Sequence, residues 1–263
     1  MPESTDFDHV AVASEHAIDN LWRYRAELGG TYLGGGTDPG FHFHQVAFAS
    51  GMKIELLQDD PDHPEDFLRR FLDRNGPGPH HLTFKVPDIG VALRRVEAAG
   101  YTPVGIDIDD PVWQQAFIHP GEGPGIVIQV AATNGEGFTD EPADELPPPR
   151  RPPADLTAVV LLVADLEGAT SLFGDTLEGT PVAGGHDELG RFAEFVWPGG
   201  GRLRVVAPES TTARHRLGRR PGRLHHLEFT GGDPVGLPGL ERCADGTLEL
   251  PPEHNLGVRL RFR

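Results

Sequence analysis

Short runs of alternating apolar and polar residues recur along the first half of the chain, with a helical periodicity between them. Residues 8–13 alternate as a half-buried strand does. Residues 18–28 then have apolar positions at helical spacing, and Gly29-Gly30 follows as a C-terminal signal. Strands are predicted at 42–49 and 52–57. We assign this order to a β-α-β-β-β module, three of whose four strands have predicted bounds.

The same order repeats after a predicted connecting helix at 65–74. The second copy has a strand at 80–86 and a helix at 89–99, and its remaining strands are predicted at 102–106, 113–118 and 126–131. Superposition of the copies pairs polar residues with polar residues: His9 with His81, Gln45 with Gln115, and Glu55 with Gln129. The first half is therefore predicted to be a pair of tandem βαβββ modules, an α+β fold.

Strand alternation places four of these polar residues on one face of the sheet. Their apolar neighbours must face a helix-covered core, so His9, Glu55, His81 and Gln129 point the other way. Imidazoles and a carboxylate buried together cost free energy unless they meet water, each other or a metal. One divalent ion (Zn²⁺, Co²⁺, Ni²⁺, Mn²⁺ or Fe²⁺) suits this ligand set. The alternative is single histidines on a solvated sheet face.

A Pro-rich and acidic segment at 133–153 divides the chain and is predicted to be a linker. It separates a metal-binding domain at 1–132 from a second domain at 154–263. The second domain repeats the plan in degenerate form, because its ligand positions carry mostly unsuitable residues: Ala158, Val205, His226 and Arg261. We expect this half to bind no metal and to serve as a lid, a packing partner or a dimer surface.

Composition excludes several classes of function. The 263 residues carry a formal charge of −17, which argues against a nucleic-acid partner. The basic run at 214–223 lies among Gly and Pro and is predicted to be a solvated loop. There is no apolar run of about 20 residues and no signal-peptide pattern, so no membrane contact is expected. The single Cys243 fits a reducing compartment, and a cytoplasmic location is predicted.

Several segments resemble the vicinal oxygen chelate superfamily, which includes glyoxalases, bleomycin resistance proteins and dioxygenases. They are residues 8–12, 53–57, 67–73, 78–86 and 117–120. Within the superfamily they are most similar to methylmalonyl-CoA epimerase. The resemblance implies modules that wrap into a cup and a metal held by the first and fourth strands of each module. Those positions are again His9, Glu55, His81 and Gln129.

Two departures from the epimerases bear on the reaction. The resemblance implies a glutamate base where this chain has Gln45, and an amide cannot act as a base near neutral pH. It also implies a glutamate where this chain has Gln129. Gln45 and Gln115 are therefore candidates for orienting the substrate. His42 and His44 lie near Gln45 in sequence, but alternation directs both to the opposite face unless a bulge intervenes.

The leading hypothesis is an enzyme with isomerase-, epimerase- or lyase-type chemistry through a metal-stabilised enolate on a small acid or acyl-CoA-like substrate. An Fe(II) extradiol-type dioxygenase is an alternative, because two histidines and one carboxylate also form the oxygenase triad. A non-catalytic binding or resistance protein is another alternative. The resistance proteins of the superfamily lack the metal, and the intact ligands of this chain weigh against this alternative. The expected partners are a small-molecule substrate and, in a homodimer, a second copy of the chain.

Overall fold

The computed structural model describes residues 3–17, 21–38, 40–62, 67–134, 146–243 and 245–263. Most of the predicted linker, residues 135–145, lies outside the described residues, as does the start of the first predicted helix at 18–20. The division of the chain at 133–153 therefore stays a prediction. Among the described residues, no helix is long and apolar enough to span a membrane.

The first half forms one eight-stranded sheet in the order β2-β3-β4-β1-β5-β8-β7-β6. Its strands are β1 (Asp6–Ser14), β2 (Thr31–Asp38), β3 (Phe41–Ala47), β4 (Lys53–Asp59), β5 (Gly78–Lys85), β6 (Pro103–Asp107), β7 (Trp113–Ile118) and β8 (Val127–Thr133). The first strand of each module lies at the centre of the sheet. The fourth, third and second strands of the module follow it, in that order, toward the sheet edge. The two predicted βαβββ modules are therefore confirmed.

The second half repeats this order as β10-β11-β12-β9-β13-β16-β15-β14. Its strands are β9 (Ala154–Val163), β10 (Thr180–His186), β11 (Gly190–Val196), β12 (Arg202–Pro208), β13 (Gly222–Gly231), β14 (Glu241–Arg242), β15 (Leu248–Leu250) and β16 (Leu260–Phe262). The last three strands are two or three residues long. This shortening is consistent with a degenerate module.

Helical segments connect the strands. They are α1 (Trp22–Glu27), α2 (Phe67–Asn75), α3 (Ile89–Ala98), α4 (Leu166–Thr170) and α5 (Thr211–Leu217). The hydrogen bonds of α1 are of the π type, as are those of the continuation of α4 (Ser171–Thr176). The predicted loop at 214–223 is wrong in its first part, because α5 begins after Ser210, whose Oγ accepts a hydrogen bond from the backbone N–H of Ala213.

Apart from the three short strands at the C-terminal end of the second half, two strands are absent from the sequence prediction. β2 contains Gly34-Gly35-Gly36, and all residues of β10 are exposed, so neither has the apolar alternation of a strand. Both pair antiparallel with the strand that follows them. Their hydrogen bonds to that neighbour, rather than side-chain burial, account for their extended conformation.

Backbone contacts divide the described chain into two compact units, and each unit contains one module from each half. In one unit, the Phe84 ring packs on Phe7, Phe173 and Trp197 at centroid distances of 4.9, 6.0 and 5.2 Å. In the other unit, Phe48 packs edge-on against Phe229 at 5.2 Å. Modules of the two halves thus share aromatic cores, which supports the role of packing partner for the second half.

The connecting helix α2 covers part of one sheet face in the second of these units. Leu68 and Leu72 of this helix form a buried cluster with Ala11, Ala13 and Leu57. By strand alternation, these last three residues lie on the same face as His9 and Glu55. Next to His9 and Glu55, the same face of the sheet is therefore apolar and covered by α2.

Candidate metal centre

Three predicted ligands meet at the centre of the first sheet. His9 lies on β1, Glu55 on β4 and His81 on β5, and these strands are neighbours in the order β4-β1-β5. Each side chain offers one ligand atom, and these three atoms all lie within 4.8 Å of one another. The two imidazole rings are 5.8 Å apart at their centroids, with their planes at 64°.

The cluster is well shielded from solvent. His9 is 0% exposed and His81 is 5% exposed, and Glu55 is half-buried. Ionised or polar groups at such sites cost free energy unless charge or hydrogen bonds compensate them. A half-buried carboxylate beside two imidazole nitrogens attracts a cation and so favours its binding at this place.

The donor set fits a divalent transition metal. Imidazole nitrogen and carboxylate oxygen bind Zn²⁺ and its neighbours at about 2.0–2.2 Å, which places donor atoms about 3–4 Å apart. The observed limit of 4.8 Å is close to this spacing, so small side-chain rotations would complete a site. Within the described residues, this is the one cluster of three or more His, Cys, Asp or Glu side chains with suitable spacing.

The two glutamines predicted to orient a substrate, Gln45 and Gln115, contact fourth-strand residues in the structure. Gln45 is 1% exposed, and its Nε2 donates a hydrogen bond to Glu55 Oε1 at 3.0 Å. In the second module, Gln129 Nε2 donates to Gln115 Oε1 at 2.7 Å. A side-chain hydrogen bond between the third and the fourth strand thus recurs in both modules, with the donor on the third strand in the first module and on the fourth strand in the second. In the first module it holds one oxygen of the candidate ligand Glu55.

Gln129, the predicted fourth ligand, belongs to a hydrogen-bonded chain. Its Oε1 accepts a hydrogen bond from Thr83 Oγ1 at 2.5 Å, and Trp113 Nε1 donates to the Gln115 Oε1 that Gln129 also contacts. Thr83 is the register partner of Gln129 and lies two residues after His81, on the same face. The amide oxygen of Gln129 already accepts one hydrogen bond. Its role as a metal ligand stays a prediction.

Sequence reasoning missed two charged residues beside the cluster. The Asp8 carboxylate lies next to the His9 ring, with Oδ2 2.7 Å from Nδ1, and its Oδ1 is 3.2 Å from Lys85 Nζ. Neighbouring residues of a strand normally point to opposite faces, so alternation gives no sign of this contact. The only sequence signal is the Asp-His pair itself.

His80, the first residue of the His-His pair, packs on the connecting helix. Its ring lies 4.7 Å from the Phe71 ring and 5.5 Å from the Phe67 ring. Burial lowers the pKa of His80 to about 4, and the nearby Glu55 carboxylate opposes that shift only in part. A neutral imidazole therefore borders the cluster at neutral pH.

The other two histidines near Gln45 contact the neighbouring strand β2. His44 Nδ1 lies 3.1 Å from the Tyr32 hydroxyl, and His42 Nδ1 lies 2.8 Å from Thr37 Oγ1. The pairing of β3 with β4 contains no register shift that would turn them. Both side chains therefore follow strand alternation and lie on the face opposite Gln45.

The corresponding positions of the second half carry two apolar residues and an ion-paired arginine. Ala158 and Val205 are buried and have no donor atom. The guanidinium of Arg261 contacts Asp245 at 2.9 Å and Glu249 at 3.6 Å. Since guanidinium stays protonated, it places a fixed positive charge where a metal would need a ligand.

The fold consists of tandem βαβββ modules, and the candidate site is a His-Glu-His cluster that could hold a metal ion. The family model of the glyoxalase-like domain matches residues 7–177, more than half of the chain, and the chain therefore belongs to this family of the vicinal oxygen chelate superfamily. The predicted superfamily and fold class are confirmed. Members of the superfamily are mostly enzymes and typically bind a divalent metal.

The solved structures that match the chain cover either about half or all of it. The hypothetical protein BH1468 from Bacillus halodurans C-125 is 25% identical, with 52% of this chain and 100% of that chain covered and a TM-score of 0.45. Methylmalonyl-CoA epimerase from Mycobacterium tuberculosis is 24% identical, with 49% and 87% covered and a TM-score of 0.44.

A mutant of 4-hydroxymandelate synthase from Streptomyces coelicolor is 16% identical, with 100% of this chain and 93% of that chain covered and a TM-score of 0.63. This likeness shows a shared fold across both halves. The search of curated proteins found no match.

Proposed function

We propose that this chain is a divalent-metal-dependent enzyme whose metal is held by His9, Glu55 and His81. The single observation that carries the proposal is the convergence of these three donor atoms within 4.8 Å at the centre of the first sheet. Membership of the glyoxalase-like family supports it, because such members typically bind a divalent metal. The ligand set leaves coordination positions for a substrate.

A bound dication would polarise a substrate carbonyl or carboxylate oxygen and lower the pKa of the adjacent C–H group. The chain's own residues would set the geometry of the site. Gln45 holds one oxygen of Glu55 and so fixes the direction of that carboxylate. Thr83 and Gln115 hold both ends of the Gln129 amide. We assign Gln45 and Gln115 to the orientation of these side chains.

The proposed reaction class is isomerisation, epimerisation or a lyase step that begins with removal of an α-proton from a small acid or acyl-CoA-like substrate. The sequence resemblance to the epimerases supports this class. Gln45 cannot be the base, because an amide does not accept a proton near neutral pH. The reaction of this chain is therefore proposed to differ from that of the epimerases in its proton acceptor.

Oxygen chemistry at Fe²⁺ is the second candidate function, and one observation favours it. The amide of Gln129 is engaged by Thr83 and Gln115, which leaves two histidines and one carboxylate as the protein ligands. This is the ligand set of the Fe²⁺ facial triad of oxygenases. The two candidates differ in whether turnover consumes O₂.

Reconstitution of the purified protein separates them. Metal-free protein is loaded in turn with Zn²⁺, Co²⁺, Ni²⁺, Mn²⁺ or, anaerobically, Fe²⁺, and incubated in D₂O with acyl-CoAs, 2-oxo acids and catechols. Deuterium incorporation at the α-carbon without O₂ uptake supports enolate-type chemistry. O₂ uptake restricted to the Fe²⁺ form supports the dioxygenase.

The same experiment tests the proposal as a whole. Binding of about one ion per chain is expected for at least one of these metals. If no metal binds and small acids still bind, the chain is a non-catalytic binding protein and the proposal is wrong. A His9→Ala protein that retains deuterium exchange or O₂ uptake would also contradict it.

A further inference from the structure

The Asp8 carboxylate lies against the Nδ1 nitrogen of the candidate ligand His9. Asp8 is 3% exposed and His9 is 0% exposed, so the contact between Asp8 Oδ2 and His9 Nδ1 at 2.7 Å is shielded from water. A charge-assisted hydrogen bond of this length is among the stronger contacts of a protein interior. The orientation of the His9 ring is therefore set by a fixed partner.

This contact determines which ring nitrogen of neutral His9 carries the proton. An ionised carboxylate can only accept a hydrogen bond, so His9 Nδ1 must be the donor. The lone pair is then on Nε2, the nitrogen that remains to serve as the ligand atom. The hydrogen bond made by one nitrogen thus selects the other for the metal.

Lys85 holds the second oxygen of the same carboxylate. Its Nζ lies 3.2 Å from Asp8 Oδ1 and 5.6 Å from the centroid of the Trp113 ring. His9 Nδ1–H and Lys85 Nζ are both groups that can only donate a hydrogen bond to Asp8. Asp8 satisfies both because a carboxylate has two acceptor oxygens, and neither oxygen needs to turn toward the metal cluster.

We propose that Asp8 is a positioning residue that fixes His9 as the Nδ1–H tautomer and so presents Nε2 to the metal, with Lys85 as the anchor of the carboxylate. This inference rests on the metal site of the proposed function. It predicts a specific effect of the isosteric variant Asp8→Asn, because an amide has only one acceptor oxygen for two donors. The charged Lys85 takes that oxygen, and the amide N–H₂ then faces His9 Nδ1. The His9 ring is thereby driven to the Nε2–H tautomer.

The tautomer is measurable without any metal. Long-range ¹H–¹⁵N correlation spectra of the metal-free full chain, recorded above the ordinary imidazole pKa of about 6.5, distinguish Nδ1–H from Nε2–H rings. The His9 signals are assigned by their loss in His9→Gln. We expect Nδ1–H in the wild-type protein and in Lys85→Met, and Nε2–H in Asp8→Asn. The double variant Asp8→Asn/Lys85→Met is expected to return to Nδ1–H, because the amide oxygen can then turn to His9.

Zinc affinity gives the second readout. Competition with a chelator is expected to show a fall of about 10- to 100-fold in Zn²⁺ affinity for Asp8→Asn, the usual cost of losing a partner of a metal ligand. The double variant is expected to recover most of it. Asp59→Asn is the matched control. Asp59 is also buried and forms an ion pair, but its partner is Arg69, at 3.0 Å, and not one of the three candidate ligands.

The outcomes separate the two proposals. An Nε2–H ring in the wild-type protein, an Nδ1–H ring in Asp8→Asn, or failure of the double variant to restore the tautomer would each overturn the positioning role. Absence of Zn²⁺ binding by a wild-type protein whose His9 is Nδ1–H would instead contradict the proposed function.

Discussion

At the scale of single residues, the site depends on imidazoles that differ only in their surroundings. His9 and His81 face Glu55, whereas His44, which is also buried, contacts Tyr32 on the other face. His226 occupies the position of His81 in the second half, where its Nε2 lies 3.8 Å from Glu228. The chemistry proposed for a histidine is therefore decided by which side chains meet it.

Removal of one candidate ligand should abolish metal binding. In His9→Ala or His81→Ala the three-residue cluster loses a donor, and we expect metal content to fall from about one per chain to near zero after dialysis, since even loss of a supporting partner costs about 10- to 100-fold. Plasma emission spectrometry measures the content. His44→Ala and His226→Ala are matched controls and should keep about one ion per chain. Full metal content in His9→Ala and His81→Ala would refute the ligand assignment.

The variant Gln129→Glu tests whether the fourth position contacts the metal. A carboxylate there would bring the site to two negative charges, so we expect Zn²⁺ affinity to rise by about tenfold or more, about 1.4 kcal/mol. Isothermal titration with Zn²⁺ measures the change. An anionic substrate should bind more weakly to this variant, because the charge of the site becomes less positive by one. Unchanged Zn²⁺ affinity would mean that Gln129 lies outside the ligand set.

The sequence predicted that His9, Glu55 and His81 lie close together. Strand alternation places all three side chains on one face, and the internal repeat matches their positions in the two modules. The sequence did not predict the contact of Asp8 with His9, since alternation separates neighbouring residues of a strand. Nor did it predict the hydrogen bonds of Gln45 and Gln115 to fourth-strand residues. Such contacts depend on side-chain rotamers and cross-strand register, which a pattern of apolar positions does not determine.

At the scale of elements, strands with a buried side are predicted well, whereas of the exposed strands β6 was predicted and β10 was not. Trp113–Ile118 has the predicted bounds, and the α3 helix differs from its prediction by one residue at its end. β2 was missed because its glycines lack side chains, and β10 because it has no buried position. The π-type winding of α1 has no signature in the periodicity, because a single turn of π helix changes the repeat too little to be seen.

The α1 segment is tied to the C-terminal part of the chain through a buried tyrosine. Tyr24 is 0% exposed, and Asn255 Nδ2 donates a hydrogen bond to its hydroxyl oxygen at 3.3 Å. Burial raises the pKa of Tyr24 from 10.0 to about 12, although Asn255 and Arg23 oppose the shift. The folded chain therefore keeps this proton at a pH where the unfolded chain has lost it.

Stability should fall in alkaline solution through this residue. Below pH 10 both states keep the proton and Tyr24 contributes no pH dependence; from about pH 10 to about pH 12 the unfolded state alone is deprotonated, which lowers the free energy of unfolding by up to about 3 kcal/mol. Urea unfolding of wild type and Tyr24→Phe across this range measures the effect. Tyr24→Phe should lose about 1 kcal/mol at neutral pH, from the missing hydrogen bond, and show a shallower alkaline decline. An identical decline in both proteins would contradict the assignment.

At the scale of the whole molecule, the chain repeats one module four times but places candidate metal ligands in one pair. The first half keeps three donors, and the second half replaces them by Ala158, Val205 and the ion pairs of Arg261. The second half nevertheless shares aromatic cores with the first through Phe84, Trp197 and Phe229. Loss of the ligands alongside retention of the core contacts is consistent with a structural role for the second half.

The most direct test of the central claim is a crystal structure of the full chain loaded with Zn²⁺, with anomalous scattering measured on both sides of the zinc absorption edge. We predict one strong anomalous peak per chain, at about 2.0–2.2 Å from His9 Nε2, His81 Nε2 and a Glu55 oxygen. No peak is expected beside His226 and Arg261. A zinc ion bound at any other place, or a Zn²⁺-saturated crystal with no anomalous peak among His9, Glu55 and His81, would contradict the account.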